Sequence, residues 1–204
     1  MHTTTSLVST PPRRAVRAWL VWTVGFLAFP VAGLAGTAAG GRLDRPVAAL
    51  LGGLATGAVV GLGQALVSSG RLPVLRWTAA TAIGMGIGLL LGAQSVAYGT
   101  GLVQLAAMGA LTGAVLGAAQ ALALPQRTRR RWTWAVAMPF LWAAGWAVTT
   151  GAGIAVENQF TIFGASGAIT VTVILGALLH LLVPPATTSQ AMPSGTVTTT
   201  GALP

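Results

Sequence analysis

The chain contains no cysteine and no lysine, and only two acidic residues, Asp44 and Glu157, among its 204 residues. The lack of cysteine excludes disulfides, thiolate nucleophiles and cysteine-ligated metal sites. Two isolated acids and two isolated histidines, His2 and His180, do not make a metal-binding set. Charged residues form only 6% of the chain, whereas a soluble domain carries about 25%. This sequence therefore cannot cover a soluble surface.

Apolar residues make up 54% of the chain. A helix needs about 20 of them to cross a hydrocarbon core about 30 Å thick, and six stretches are long enough. The stretches lack the alternation over about ten positions that barrel strands show, which favours helices. The predicted segments are about 18–39, 46–68, 77–98, 101–124, 132–156 and 161–183.

Every arginine lies between or beside these segments, and no ionisable residue falls near the middle of one. An arginine at mid-membrane costs about 2.5–3.5 kcal/mol on insertion scales, so this placement supports the segment boundaries. Proton-coupled pumps and voltage sensors depend on intramembrane charges. The charge pattern therefore argues against both classes.

The arginines are divided unevenly between the two sides of the predicted membrane segments. Nine lie in the amino-terminal tail and in the loops after the second and fourth segments, whereas only Arg42 and Arg45 lie on the other side. The positive-inside rule then predicts that both termini are cytoplasmic. The exclusive use of arginine and the abundance of alanine, glycine and valine are typical of a GC-rich bacterial genome, so we expect the bacterial inner membrane.

The first segment has an alternative interpretation as a secretory signal peptide. Arg13, Arg14 and Arg17 precede the apolar run, and Thr37-Ala38-Ala39 is a passable cleavage site,. The run is longer than the usual stretch of about 7–15 residues. It also keeps register with the later repeats, which favours an uncleaved helix.

Three Trp-Thr pairs recur along the chain with a constant spacing of 55 residues: Trp22-Thr23, Trp77-Thr78 and Trp132-Thr133. A fixed period predicts one structural unit used three times. Each unit is long enough for a pair of membrane helices, so we predict a six-helix bundle of three tandem hairpins. Its units are about 17–70, 71–126 and 127–183, and the polar tails 1–16 and 184–204 are predicted to be disordered in the cytoplasm. The tryptophans are interpreted as interfacial anchors.

The second and fourth segments carry the same motif, Gly57–Gln64 and Gly113–Gln120, with glycines at four-residue intervals. Such rows of glycine let membrane helices approach closely. With the basic turn and the tryptophan that follow, the pattern resembles uncharacterised bacterial multi-pass membrane proteins built from repeated Gly-x-x-x-Gly-x-x-Gln helices. This resemblance implies a topology and no chemical activity. In the third unit Val171 and Ile174 replace the glycine and the glutamine, so we expect the sixth helix to pack more loosely or to face lipid.

Gln64 and Gln120 are the candidate polar residues inside the bundle. A neutral amide there can bridge helices by hydrogen bonds worth about 0.6–2 kcal/mol. Alternatively, the same amides could line a polar pocket with Gln94 or Gln104. The bridging interpretation is favoured, because both positions fall inside the packing motif.

Four arginines in the fourth loop are candidate contacts for anionic lipid: Arg127, Arg129, Arg130 and Arg131. Each charge near an anionic leaflet contributes about 1 kcal/mol. The alternative is that these residues only set orientation. A short basic turn pressed against the bilayer offers too little surface for nucleic acid, which we do not expect as a partner.

Two further patterns need weighing. Gly164-Ala165-Ser166-Gly167 is like the nucleophile motif of rhomboid proteases, and His180 follows it. The two residues lie at opposite ends of one predicted helix, about 21 Å apart at 1.5 Å per residue, so they cannot form a dyad. Glu157 is expected on the same side as Arg42 and Arg45, and we hypothesise an ion pair with one of them.

The sequence thus predicts an all-α integral membrane protein with no cofactor and no enzymatic activity, since it lacks a nucleophile–base pair, a metal set and a phosphate loop. We expect a membrane module that packs with itself or with a membrane partner and that binds anionic lipid. The alternative is a transporter or channel for a small neutral or amphipathic solute, with the glutamines along its axis.

Overall fold

The computed structural model describes residues 12–128, 130–154 and 161–183, with side chains from residue 15 onward. Every regular element in these residues is a helix. The helices are α1 (Pro12–Val24), α2 (Ala28–Gly40), α3 (Pro46–Val67), α4 (Val74–Ser95), α5 (Leu102–Ala123), α6 (Arg131–Gly151) and α7 (Ala165–Leu182). The prediction of an all-α bundle is confirmed.

The first membrane segment consists of α1 and α2, joined by one turn of 3-10 helix at Gly25–Leu27. Pro30 lies in the first turn of α2, and it has no amide hydrogen to donate to the carbonyl group of Phe26. The main-chain hydrogen bonding therefore changes just before the proline. The two helices together still provide one apolar segment, Ala15–Gly40.

Five segments in the described part of the chain are long and apolar enough to cross a membrane: α1–α2, α3, α4, α5 and α7. The remaining helix, α6, has 21 residues, four of them tryptophans, and is not among these five segments. The bundle exposes large apolar side chains, such as Leu75 and Leu181, which are 84% and 82% exposed. These features are those of a multi-pass membrane protein, because lipid covers such a surface.

The helices form a ring in which each packs against the next along the chain, from α2 to α7, and α7 packs against α1. Short turns connect the helices from α2 to α6, so neighbouring helices in this part of the ring are antiparallel. We call the end of the ring that carries Arg71, Arg76 and Arg127 the basic end, and the other end the far end.

Glycines lie at the closest contacts between helices. A Cβ atom on Gly57 of α3 would lie 2.5 Å from the carbonyl oxygen of Thr81 in α4, and one on Gly113 of α5 would lie 2.5 Å from that of Met138 in α6. Between α4 and α5, the Cβ atom of a residue replacing Gly88 would lie 2.8 Å from a carbonyl oxygen. Real Cβ atoms do not approach so closely, so these backbones can meet only where the side chain is hydrogen.

The contact between the first segment and α7 closes the ring, and we call it the seam. At the basic end Gly176 of α7 lies against the indole of Trp22. Towards the far end the seam contains an apolar cavity of about 440 Å³ between α2 and the chain that leads into α7. Its lining includes Phe29, Gly33, Leu34, Ile162 and Phe163.

The helix ends differ from the predicted ones by three residues or more in five places. α1 begins at Pro12, although 12–16 were predicted to belong to the disordered tail, and α4 covers Val74–Ser95 rather than the predicted 77–98. α6 ends at Gly151 and α7 begins only at Ala165, because Thr161, Ile162 and Phe163 enter the core as a non-helical segment. Predictions for Glu157, Arg129 and the tail 184–204 concern residues outside the described ones.

Candidate functional site

Gln64 is buried in α3, and its amide oxygen accepts a hydrogen bond from the indole nitrogen of Trp77 in α4 at 3.1 Å. The side chains of Gln64 and Trp77 are 2% and 0% exposed. Lipid and a dry core offer no water to replace this bond, so both groups depend on each other. The amide therefore links the two helices near the basic end.

Gln120 makes the corresponding contact one hairpin later and adds a second one. Its oxygen accepts from the indole nitrogen of Trp134 in α6 at 2.9 Å, and its nitrogen donates to the hydroxyl of Thr81 in α4 at 3.0 Å. The rings of Trp77 and Trp134 also meet edge to face, with centroids 5.6 Å apart. One amide thereby ties three consecutive helices together.

At the seam the tryptophan is kept and the glutamine is lost. Trp22 donates its indole hydrogen to the carbonyl oxygen of Thr172 in α7 at 2.9 Å. Ile174, which takes the place of the glutamine in the sequence alignment, is 44% exposed. Val171, which takes the place of the glycine, is fully buried, so only the glutamine position of the motif faces lipid and the expectation of a more lipid-facing last helix is not confirmed.

The interpretation of the tryptophans as interfacial anchors is wrong for Trp22 and Trp77, which are buried and hydrogen-bonded inside the bundle. In the third unit the residue that acts like Trp77 is Trp134. Trp132, which the constant spacing selected, is 57% exposed. The spacing selected Trp132 because it compares residue types at a fixed interval. In the structure the equivalent residue is the one whose indole reaches a buried glutamine.

Gln94 and Gln104 are exposed near the far end and do not join the buried pair. Gln94 donates to the carbonyl oxygen of Leu90 in its own helix at 3.1 Å. Gln104 follows directly on the turn between α4 and α5 and lies against Gly99. Among the described residues the four glutamines thus do not converge on one cavity, and Gln64 and Gln120 have the helix-bridging geometry.

Aromatic rings fill the interior towards the far end. Phe163 stacks on Phe29 with centroids 5.5 Å apart and meets the edges of Trp142 and Trp146 at 5.1 and 6.0 Å. Gly145 leaves space for this ring, since a Cβ atom there would lie 2.8 Å from it. The cluster explains why the chain before α7 is drawn into the core, and it occupies space that a polar path would need.

Ser166 and His180 lie at opposite ends of α7. His180 uses Nδ1 in a 2.7 Å contact with the carbonyl oxygen of Gly176, one turn earlier in the same helix. No group of three potential metal ligands occurs among the residues that the structure describes. The described residues therefore assemble neither the protease dyad nor a metal centre.

The arginines of the fourth loop occupy different positions at the basic end. Arg127 is exposed and donates to the carbonyl oxygen of Arg71 at 3.2 Å. Arg130 precedes α6 in a left-handed conformation with φ of 51°, and Arg131 is the first residue of that helix. Arg129 lies outside the described residues.

A cavity of about 290 Å³ separates the α3–α4 turn from the α5–α6 turn at this end. Three arginines line it, Arg71, Arg76 and Arg127, together with Gly70, Leu72, Pro73 and Pro125. The sequence reasoning assigned Arg71 and Arg76 to orientation alone. A usable signal was present, because two basic turns of adjacent hairpins must lie side by side when both hairpins are short and packed together.

Arg71 is the half-buried member of this group. Burial lowers the pKa of its guanidinium below the ordinary value, and the neighbouring charge of Arg127 lowers it further. An arginine still stays protonated at neutral pH. The direction of the shift therefore indicates a cation held in an unfavourable electrostatic environment.

No family model matches the chain, and neither a curated protein nor a solved structure matches it. The features of the structure that bear on function are the buried Gln–Trp contacts and the arginines of the basic end.

Proposed function

We propose that this chain is a non-enzymatic module of the bacterial plasma membrane that packs with itself or with a membrane partner and binds anionic lipid at its basic end. In this proposal both termini are cytoplasmic, so the basic end faces the anionic leaflet. The chain is built from three related hairpins nested through glycine rows, in the manner of the uncharacterised multi-pass proteins that its motif resembles.

The observation that carries the proposal is the distribution of polar groups. The two buried glutamines are committed to indole and hydroxyl partners, and aromatic rings fill the interior beyond them. Most of the guanidinium groups, in contrast, gather at the basic end, while Arg42, Arg45 and Asp44, the only described acidic side chain, lie at the other end of α3. A dry interior and a cationic rim fit lipid binding better than solute passage.

The repeat within this proposal is supported by three similar contacts. Trp22, Trp77 and Trp134 each donate an indole hydrogen to the even-numbered segment beside them, formed by α7, α3 and α5 respectively. Trp77 and Trp134 lie three residues after the first residue of α4 and of α6, and Trp22 lies in the half of the first segment nearer the basic end. An arrangement of this kind is expected of three hairpins around an axis along the membrane normal.

Lipid retention tests the proposal. The full chain is reconstituted in nanodiscs of mixed zwitterionic and anionic lipid. Native mass spectrometry then identifies the lipids that stay bound to the protein after it is released from the nanodisc. We expect anionic lipid to be enriched, and Arg130→Asn with Arg131→Gln to reduce the enrichment by about fivefold per charge removed. Asparagine is chosen at 130 because it tolerates the left-handed backbone there.

The matched control removes the same charge from the far end through Arg42→Gln with Arg45→Gln, and it should leave the enrichment unchanged. Equal retention of both lipid types, or equal loss in the control, would contradict the proposal. The transport alternative predicts instead that proteoliposomes show a solute flux that Gln120→Leu abolishes.

A further inference from the structure

The cavity between the α3–α4 and α5–α6 turns brings three guanidinium groups around one space of about 290 Å³. Like charges that share a cavity repel one another, so such an arrangement is costly unless an anion is present. Asp44 cannot supply it, because α3 separates Asp44 from the cavity by 22 residues of helix, about 33 Å at 1.5 Å per residue.

Arg71 provides an independent sign that the cationic group is poorly compensated at this place. Its Nε atom is buried and has no hydrogen-bond partner among the described residues. A buried donor that carries part of a positive charge loses its hydration without compensation, which is unfavourable. Because Nε itself is buried, an anion in the cavity would offset the charge of the guanidinium through space rather than by a hydrogen bond to Nε.

The other two arginines are held in place by the backbone. Arg76 donates through Nη2 to the carbonyl oxygen of Leu122 at the end of α5, and Arg127 donates through Nη2 to that of Arg71. Each guanidinium has five N–H donors in a rigid fork, and these contacts fix the orientation of the two groups beside the cavity. The fork geometry matches the oxygens of a phosphate group.

The start of α4 adds to the positive potential at the same place. This helix of 22 residues begins at Val74, directly after Pro73, and no side chain caps it. The first amide hydrogens of a helix have no partner within the helix and favour an anion beside them. Pro73 and Arg76 both line the cavity, so the start of α4 and the guanidinium groups border the same cavity.

We propose that Arg71, Arg76 and Arg127 form a binding site for a single phosphate group, presented either by a lipid headgroup or as free phosphate. The inference deepens the proposed function and rests on it for the position of the cavity at the boundary between lipid and water. It assigns the binding to one built pocket, whereas the proposed function concerns the charge of the whole basic end.

The test uses the full chain in nanodiscs that contain either phosphatidic acid or phosphatidylglycerol in a zwitterionic background. Native mass spectrometry counts the lipids retained, and a parallel titration with inorganic phosphate in purely zwitterionic nanodiscs follows the thermal unfolding temperature. We expect one tightly held phosphatidic acid, since its terminal phosphate presents more oxygens to the three forks than a phosphodiester does. A stabilisation by inorganic phosphate alone would also support the site and would identify free phosphate as the source.

Arg71→Gln should lower the affinity for the phosphate group by about tenfold or more, because it removes charge-assisted hydrogen bonds. Arg71→Lys keeps the positive charge but not the planar array of guanidinium donors. We expect it to lose about as much affinity for the phosphate group as Arg71→Gln does, because the site depends on that array. The matched control is Arg17→Gln, an exposed arginine of α1. Unchanged unfolding temperatures in zwitterionic nanodiscs show that each variant is folded.

The inference is overturned if neither phosphatidic acid nor inorganic phosphate binds. It is also overturned if Arg17→Gln lowers the affinity for the phosphate group as much as Arg71→Gln does. A general enrichment of anionic lipid that persists in those cases leaves the proposed function standing. The two failures are therefore distinguishable.

Discussion

The helices α3 to α6 and the seam use related sequences but are closed by different contacts. From α3 to α6, glycines bring the backbones together and two buried glutamines bind tryptophans of the next helix. At the seam the first segment and α7 share two indole bonds to main-chain carbonyl groups, from Trp19 and Trp22, and an apolar cavity of about 440 Å³ remains between α2 and the chain that leads into α7.

The difference between these two regions shows which side chains let one membrane hairpin pack closely against the next. Where the glycine row and the glutamine are both kept, the helices meet at backbone distance. Where Val171 and Ile174 replace them, the segment from Thr161 to Phe163 fills part of the space. The seam is consequently the side of the ring where we expect a second copy or a membrane partner to pack most easily.

The largest effect is expected from adding one methyl group to the α3–α4 contact. Gly57→Ala places a Cβ atom 2.5 Å from the carbonyl oxygen of Thr81, so the backbones must separate at a cost of about 3 kcal/mol. At the seam, Gly33→Ala meets only Ile162 at 3.6 Å and should cost nothing. Unfolding by SDS titration in mixed micelles measures both free energies. Equal losses would show that the two regions are packed alike.

A smaller loss should follow removal of the bridging amide. Gln120→Leu leaves the indole of Trp134 without its acceptor and should lower the free energy of unfolding by about 2 kcal/mol. Gln64→Leu removes one side-chain hydrogen bond where Gln120→Leu removes two, so its loss should be smaller. Gln94→Leu is the matched control, because this exposed amide bonds only to its own helix. A loss in the control as large as that of Gln120→Leu would contradict the bridging role.

Hydroxyl groups at corresponding positions offer a finer comparison. Thr56 contacts the hydroxyl of Thr161 at 2.8 Å beside the seam, whereas the hydroxyl of Thr112 has no hydrogen-bond partner among the described residues. Thr56→Val should therefore cost about 1 kcal/mol, and Thr112→Val less than about 0.5 kcal/mol. The same SDS titration checks both. The reverse order would mean that the Thr161 segment does not help to hold the seam.

A difference of similar size distinguishes the two tryptophans at the start of α6. Trp134→Phe keeps an aromatic ring but removes the donor to Gln120, at a cost of about 1 kcal/mol. Trp132→Phe changes an exposed ring and should leave stability unchanged. If Trp132→Phe is the costlier variant, the constant spacing of the sequence pattern describes the third unit better than the structure does.

Sequence patterns predicted the membrane helices well, because apolar length and excluded arginines are local properties. They also pointed to Gln64 and Gln120, since the motif that carries them is repeated. They did not predict that Trp77 and Trp134 would be the partners, because a burial direction depends on how neighbouring helices rotate. The cavity between two turns was missed for the same reason, since Arg71 and Arg127 are 56 residues apart in the sequence.

The central claim is that the Gln–Trp contacts seal a dry interior. Exchange of the indole N–H groups with water, followed by NMR on the chain in lipid nanodiscs with each tryptophan assigned by substitution, tests it most directly. The account predicts slow exchange at Trp77 and Trp134 and fast exchange at Trp132. Fast exchange at Trp77 and Trp134 would reveal water along the axis and contradict the account.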